Sequence, residues 1–144
     1  MSRDKSKKIL FAGIGNVLKS DDGIGVYISN RIMGASHVLS LTVETGIENY
    51  IGKINSLNPD LLILIDCVDF GREPGYCSLL PVEKTRDFTI HTHNISLNKI
   101  SELFDMPVHI LGIQPQNLSF GKNLSERIKE TADRIIEIIN GVQQ

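Results

Sequence analysis

Two short runs of almost wholly apolar residues, 9–14 and 61–65, constrain this chain more than any other feature of it. A run of five or six apolar residues with no polar alternation reads as a strand buried on both faces, and such strands belong to parallel sheets covered by helices on each side. A weaker strand, 38–43, lies between them. The intervals carry apolar residues at helical spacing: Val26, Ile28, Ile32 and Met33 within 25–33, then Ile51, Ile54 and Leu57 in and just after 48–56. Strand, helix, strand, helix, strand is the order that right-handed crossover units produce.

After Asp66 the pattern changes. The connection 68–75 is too short for a crossover helix, so the next strand, 76–81, is expected to run antiparallel. A helix over 96–104 follows, with Ser96 as its N-cap and Leu97, Ile100 and Leu103 facing inward. The last strand, 108–113, is stopped by Pro115. The final helix, 125–139, carries Ile128, Ala132, Ile135, Ile136 and Ile139 as an apolar stripe, and Gly141 is expected to end it. The pattern predicts one domain over residues 1–144, of α/β class. It is a three-layer α/β/α sandwich on a mostly parallel five-stranded sheet with one antiparallel strand.

A chain of 144 residues can bury one full core. Its formal net charge of −2 gives no footprint for nucleic acid or for an anionic membrane surface. No apolar run reaches the length of a membrane span, and the stretch after the charged N-terminus is too short for a signal-peptide core. Cys67 and Cys77 are too few for a disulfide framework and read as reduced, small apolar residues. The expectation is a cytoplasmic protein with no membrane insertion; the sequence leaves the oligomeric state open, with a monomer favoured.

In open sheets of this kind, sites form beyond the carboxyl ends of the strands. There the sequence places Gly13-Ile14-Gly15-Asn16-Val17-Leu18-Lys19-Ser20-Asp21-Asp22-Gly23-Ile24-Gly25, then Asp66-Cys67-Val68-Asp69, then His91-Thr92-His93-Asn94. A dinucleotide reading of the first loop fails, because Leu18 stands where the third glycine belongs and no Gly-Lys-Ser/Thr follows. Asp21 and Asp22 at the helix start would repel a phosphate; the helix dipole favours their ionised form, which suits a cation. One of the two is expected to cap the helix, and the pair exceeds what a cap requires. Asp66 closes a buried strand and points to a site, whereas Asp69, followed by Phe70-Gly71, reads as a turn residue.

His91 and His93, one residue apart, project to the same side of an extended backbone. Alone, either is best read as solvated or satisfied in the core. With two acids at the same rim, one imidazole makes an N/O ligand set for a borderline divalent metal. Open positions in such a set admit water and a carbonyl oxygen, as metal-assisted hydrolysis needs. Glu44 adds an acid to the same edge. Glu48 reads as an ordinary first-turn acid, and Gln114-Pro115-Gln116 offers amides that could hold a peptide backbone. His37 and His109 read as structural, and no Ser-His-Asp or Cys-His pattern is evident.

These stretches resemble the hydrogenase maturation endopeptidases. The resemblance rests on the Gly13–Gly25 loop, on Leu64-Ile65-Asp66-Cys67-Val68-Asp69-Phe70-Gly71 and on His91-Thr92-His93-Asn94-Ile95-Ser96-Leu97, in that order. It implies a protease that removes the C-terminal extension of a [NiFe] hydrogenase large-subunit precursor after nickel insertion, cutting just after a basic residue near the last cysteine ligand. Carried over by position, the metal-sensing residues become Asp22, Asp66 and His93, with Asp22 and Asp66 also catalytic. Nickel would arrive with the substrate precursor rather than reside in the enzyme. Two features depart from relatives: Glu44 stands where many carry Asp, and Glu48-Asn49 comes sooner after the preceding glycine than in some. The stretch 111–115 is similar to the subgroup serving membrane-associated, formate- or ferredoxin-linked hydrogenases. Two alternatives stand beside this reading. A receiver-like phosphoacceptor domain also uses an acid pair and a later Asp, but it needs a lysine where Gln114-Pro115 stand. A non-enzymatic nickel-binding module would be expected to carry more thiolates.

Overall fold

The computed structural model describes residues 7–84 and 97–141. Its elements are β1 (Ile9–Ile14), α1 (Ile24–Ser29), β2 (Val38–Glu44), α2 (Ile51–Leu57), β3 (Leu61–Cys67), β4 (Cys77–Pro81), α3 (Leu97–Ser101), β5 (Val108–Ile113) and α4 (Glu126–Gly141). Short 3₁₀ turns occupy Ser20–Gly23, Ile47–Tyr50 and Val82–Lys84. The five strands form one sheet in the order β2-β1-β3-β5-β4. The pairs β1–β2, β1–β3 and β3–β5 are parallel, and β4 pairs antiparallel with β5 at the edge. The sheet is therefore the mixed one that the sequence predicts.

β3 shows why an unbroken apolar run was needed. Successive side chains of a strand point to opposite faces. Leu62 and Leu64 enter one core, with Ile54 of α2 and Ile100 of α3, while Ile63, Ile65 and Cys67 enter the other, with Ile28 of α1 and Ile128, Ala132 and Ile135 of α4. Edge strand β4 has only one face to bury, and it alternates exposed with half-buried residues.

Several details differ from the sequence expectation. α1 stops at Ser29, capped by Asn30, because a tight turn (Arg31 N–H to Ile28 O, 2.9 Å) redirects the chain toward β2. Ile32 stays buried, but Met33, expected inside, lies past the helix and is 57% exposed. α3 ends at Ser101 in a similar turn, with Leu103 N–H on Ile100 O at 2.9 Å. That turn carries Leu103 outward and seats Phe104 in the core in its place. α4 continues through Gly141 rather than ending before it. β3 runs on to Cys67, so Asp66 sits inside the ladder opposite Gly112 rather than beyond its end. The proposed Ser96 cap lies outside the described residues.

Candidate active site

The carboxyl end of the sheet is assembled by glycines that let backbones touch. A Cβ on Gly25 would come within 2.2 Å of Ile65 O and 2.3 Å of Ile14 O, so the start of α1 lies directly on the ends of β1 and β3. Gly15, at φ +142°, leaves room for the Asp22 carbonyl, which would stand 1.9 Å from a side chain there. Only glycine fits both the conformation and the space. The loop after β1 then folds on itself: the Asn16 side chain accepts Leu18 N–H at 2.9 Å, and Asn16 N–H donates to Asp22 Oδ2 at 2.9 Å.

Both predicted acids of this rim are buried, Asp22 on the Ser20–Gly23 turn and Asp66 on β3. Asp66 Oδ1 accepts Cys67 N–H at 2.7 Å, and the Cys67 thiol donates to the carbonyl of Asp21 at 2.9 Å. Burial pushes the Cys67 thiol well above its ordinary pKa, and the carboxylates of Asp66, Asp22 and Asp21 push it further. The Cys67–Asp21 bond ties the turn that carries Asp22 to the end of β3, where Asp66 stands 44 positions later. His91 and His93 lie outside the described residues. Among the described residues, no group of three or more His, Cys, Asp or Glu side chains is arranged to hold a metal ion.

Neither Asp21 nor Asp22 caps α1, contrary to the expectation that one would; the helix start carries no side-chain cap. Asp21 turns the other way and binds the segment between β5 and α4. It accepts Gln116 N–H (2.9 Å), Asn117 N–H (2.7 Å), Ser125 N–H (2.6 Å) and the Ser125 hydroxyl (2.8 Å). Ser20, at φ 52°, reinforces the seam through its N–H to Gly121 O and its hydroxyl to Ser119 O. The two adjacent acids thus divide the work: Asp21 fastens the segment before α4, while Asp22 accepts Asn16 N–H within its own loop. The sequence carried the acid pair but not this division, since the partners of Asp21 stand 95–104 positions later.

Gln114 braces the other flank. Its Oε1 accepts Phe70 N–H at 2.6 Å and Arg72 N–H at 3.3 Å, and its Nε2 donates to Asp69 Oδ1 at 3.1 Å. Asp69 also accepts Gly71 N–H at 3.0 Å, the turn role expected of it, and that bond followed by the Gln114 amide holds its pKa below the usual carboxylate range. Glu44 ends β2 in the left-handed region at φ 64°, exposed, with its carbonyl taken by Gly15 N–H. No helix among the described residues is long and apolar enough to cross a membrane.

The chain is 27% identical over 134 residues to the hydrogenase 3 maturation protease of Escherichia coli K12, covering 89% of this chain and 86% of that protein. Its fold superposes with a TM-score of 0.83 on the crystal structure of a [NiFe] hydrogenase maturation protease HycI from Thermococcus kodakarensis, at 31% identity, covering 95% and 92% of the two chains. The solution structure of the endopeptidase HycI from Escherichia coli, at 23% identity and a TM-score of 0.80, shares the fold. The sequence also matches the model of the HycI family, hydrogenase maturation protease, over residues 31–142. This chain belongs to the HycI family of hydrogenase maturation proteases.

Proposed function

We propose that this protein is an endopeptidase that removes the C-terminal extension of a [NiFe] hydrogenase large-subunit precursor once nickel has been inserted. The observation that carries the reading is the Cys67–Asp21 hydrogen bond, which holds the turn carrying Asp22 against the end of β3 carrying Asp66, in a member of a maturation-protease family. Nickel is part of the substrate here, presented by the precursor. Asp22 and Asp66 supply hard anionic ligands to it, and His93 is the imidazole that completes the set. Coordination fixes the adjoining peptide against the rim, and that fixation supplies much of the rate by converting an encounter into an intramolecular step. Water attacks the scissile carbonyl, with the ion polarising the carbonyl oxygen or a carboxylate accepting the proton.

The test is incubation with nickel-loaded precursor, with and without its extension, read as a mass change. Wild-type protein should release the extension from loaded precursor and leave nickel-free precursor intact. Asp22→Asn and Asp66→Asn should keep the wild-type circular dichroism and lower the cleavage rate by at least about a hundredfold. Efficient cleavage by either variant would remove the proposed role of that residue.

A further inference from the structure

Between the β3–β4 connection and α4 the surface sinks into a cavity of about 340 Å³, a volume within the range of ligand sites. Its walls carry Arg72, Arg127 and Arg134 together with Glu73, Glu130 and Tyr76. Arg127 and Arg134 are seven positions apart on α4, two turns along one face. Arg72 comes from the opposite wall, its guanidinium 4.8 Å above the Tyr76 ring.

The walls are held before any ligand arrives. Gln114 fixes the backbone of Phe70 and Arg72, while Gly75 N–H on Gln114 O (2.9 Å) and Gln114 N–H on Tyr76 O (2.8 Å) fix the far side. Gly75, at φ +93°, lies so close to α4 that a Cβ would meet Thr131 Oγ1 at 2.9 Å. Arg127 stands 3.9 Å from Glu73 with both side chains largely exposed, a screened pair worth little, which leaves its guanidinium available to a better partner.

Charge selects the ligand. Three guanidinium groups set against two carboxylates leave one net positive charge in the cavity. A planar carboxylate matches both the guanidinium fork and that single charge, whereas a phosphate dianion or a polyanion would be undercompensated. Position selects the molecule that carries it. The segment Gln114–Asn117 braces this cavity through Gln114 and fastens Asp21 through Gln116 and Asn117. Arg72 follows Asp66 by six positions, so the two backbones are at most about 20 Å apart, a span an extended peptide covers in about six residues.

We propose, building on the protease reading above, that this cavity receives a carboxylate of the polypeptide substrate, within about six residues of the bond that is cut. An Asp or Glu side chain and a free chain terminus offer the same chemistry, and the experiment separates them.

The arginine Nε–H resonances of the full-length protein are followed by NMR during titration with acetyl-Gly-Glu-Gly-amide, acetyl-Gly-Gln-Gly-amide and acetyl-Gly-Gly-Gly with a free carboxylate. The resonances of Arg72, Arg127 and Arg134 should move with the carboxylate peptides and stay still with the glutamine peptide. Whichever carboxylate acts at lower concentration identifies the source. In precursor processing, Arg134→Gln and Arg72→Gln should each raise KM about tenfold at unchanged kcat, with Arg134→Lys recovering part of the loss. The proposal is overturned if glutamate and glutamine peptides act alike, or if inorganic phosphate binds there more tightly than either carboxylate peptide. It also falls, with the protease reading intact, if both arginine variants keep the wild-type KM while Asp22→Asn stops cleavage. If wild-type protein cuts no loaded precursor, the protease reading fails and the assignment to a substrate polypeptide fails with it.

Discussion

The two ends of this one sheet are built on opposite terms. At the amino end the polar groups sit in water. Lys8 N–H meets the exposed Asp60 carboxylate at 2.7 Å, and Asn58 closes α2 in the left-handed conformation that asparagine tolerates well. At the carboxyl end Ser20, Asp21, Asp22, Asp66 and Gln114 are all buried, and Ser20 and Glu44 hold the left-handed region without glycine's freedom. Buried charge and backbone strain cost free energy, and they persist only where the surrounding structure fixes them. The difference teaches that this molecule concentrates its unfavourable local choices where the candidate chemistry lies. It offsets them there with hydrogen bonds from distant segments.

The same substitution at each end tests that contrast most severely. Asp21→Ala strands four donors that the carboxylate now satisfies, and it should cost about 4 kcal/mol, lowering Tm by about 10 °C or more. Asp60→Ala removes one exposed bond and should stay within about 0.5 kcal/mol of wild type. Thermal unfolding of the pair decides the matter; equal losses would break the comparison. Gly25→Ala follows in size. Its methyl group would meet two strand-end carbonyls that cannot rotate away, at a cost of about 3 kcal/mol and with α1 lifted from β1 and β3. Because α1 starts immediately after the turn that carries Asp22, precursor cleavage should fall in the same variant.

The two cysteines sharpen the contrast within the carboxyl end. Cys77 is exposed on β4 and Cys67 is buried among carboxylates. Iodoacetamide at mildly alkaline pH should label Cys77 alone in the native protein and reach Cys67 only on unfolding. The raised pKa of Cys67 also fixes a sign. Above roughly pH 8.5 an unfolded Cys67 gives up its proton while the folded one keeps it, so the unfolded state binds fewer protons and stability falls as pH rises. Below that pH the thiol makes no difference. Denaturant titrations from pH 7 to 10 should show a steeper alkaline loss for wild type than for Cys67→Ser, by at most about 1.4 kcal/mol per pH unit. Parallel curves would mean that the folded thiol's pKa is not raised by its burial and the neighbouring acids.

Much of this was legible because it depends on local pattern. The aliphatic runs 9–14 and 61–65 read as doubly buried strands, and the shortness of 68–75 pointed to an antiparallel β4. The rule that strand ends in such sheets gather functional groups was enough to point to Asp22 and Asp66, and both are buried at that end of the sheet. The expectation that one of Asp21 and Asp22 caps the helix failed, and the partners of Asp21 belong to a segment brought beside it only by the fold. Met33 and Leu103 were misplaced because helical spacing says nothing of where a tight turn ends the helix. The arginine cavity was hidden for a related reason: Arg127 and Arg134 lie off the apolar stripe of α4, and no local motif marks what faces them. Only the packing of the β3–β4 connection shows what stands opposite them. Local chemistry is written in order along the chain, and contacts across it are not.

The smallest expected effect is also the cleanest control on the glycine argument. Gly52 lies in α2, exposed, and a Cβ there would meet nothing within 4 Å. Alanine at that position reduces the freedom of the unfolded chain and suits the helix, so Gly52→Ala should raise stability by about 0.5 kcal/mol, seen as a higher urea midpoint at unchanged slope. Set beside Gly25→Ala, it separates two causes that a single glycine variant confounds. If both substitutions destabilise, the loss at Gly25 reflects a general intolerance of the fold to a changed glycine. Opposite signs assign it to the contact with Ile14 O and Ile65 O, and so to the close approach of α1 to β1 and β3.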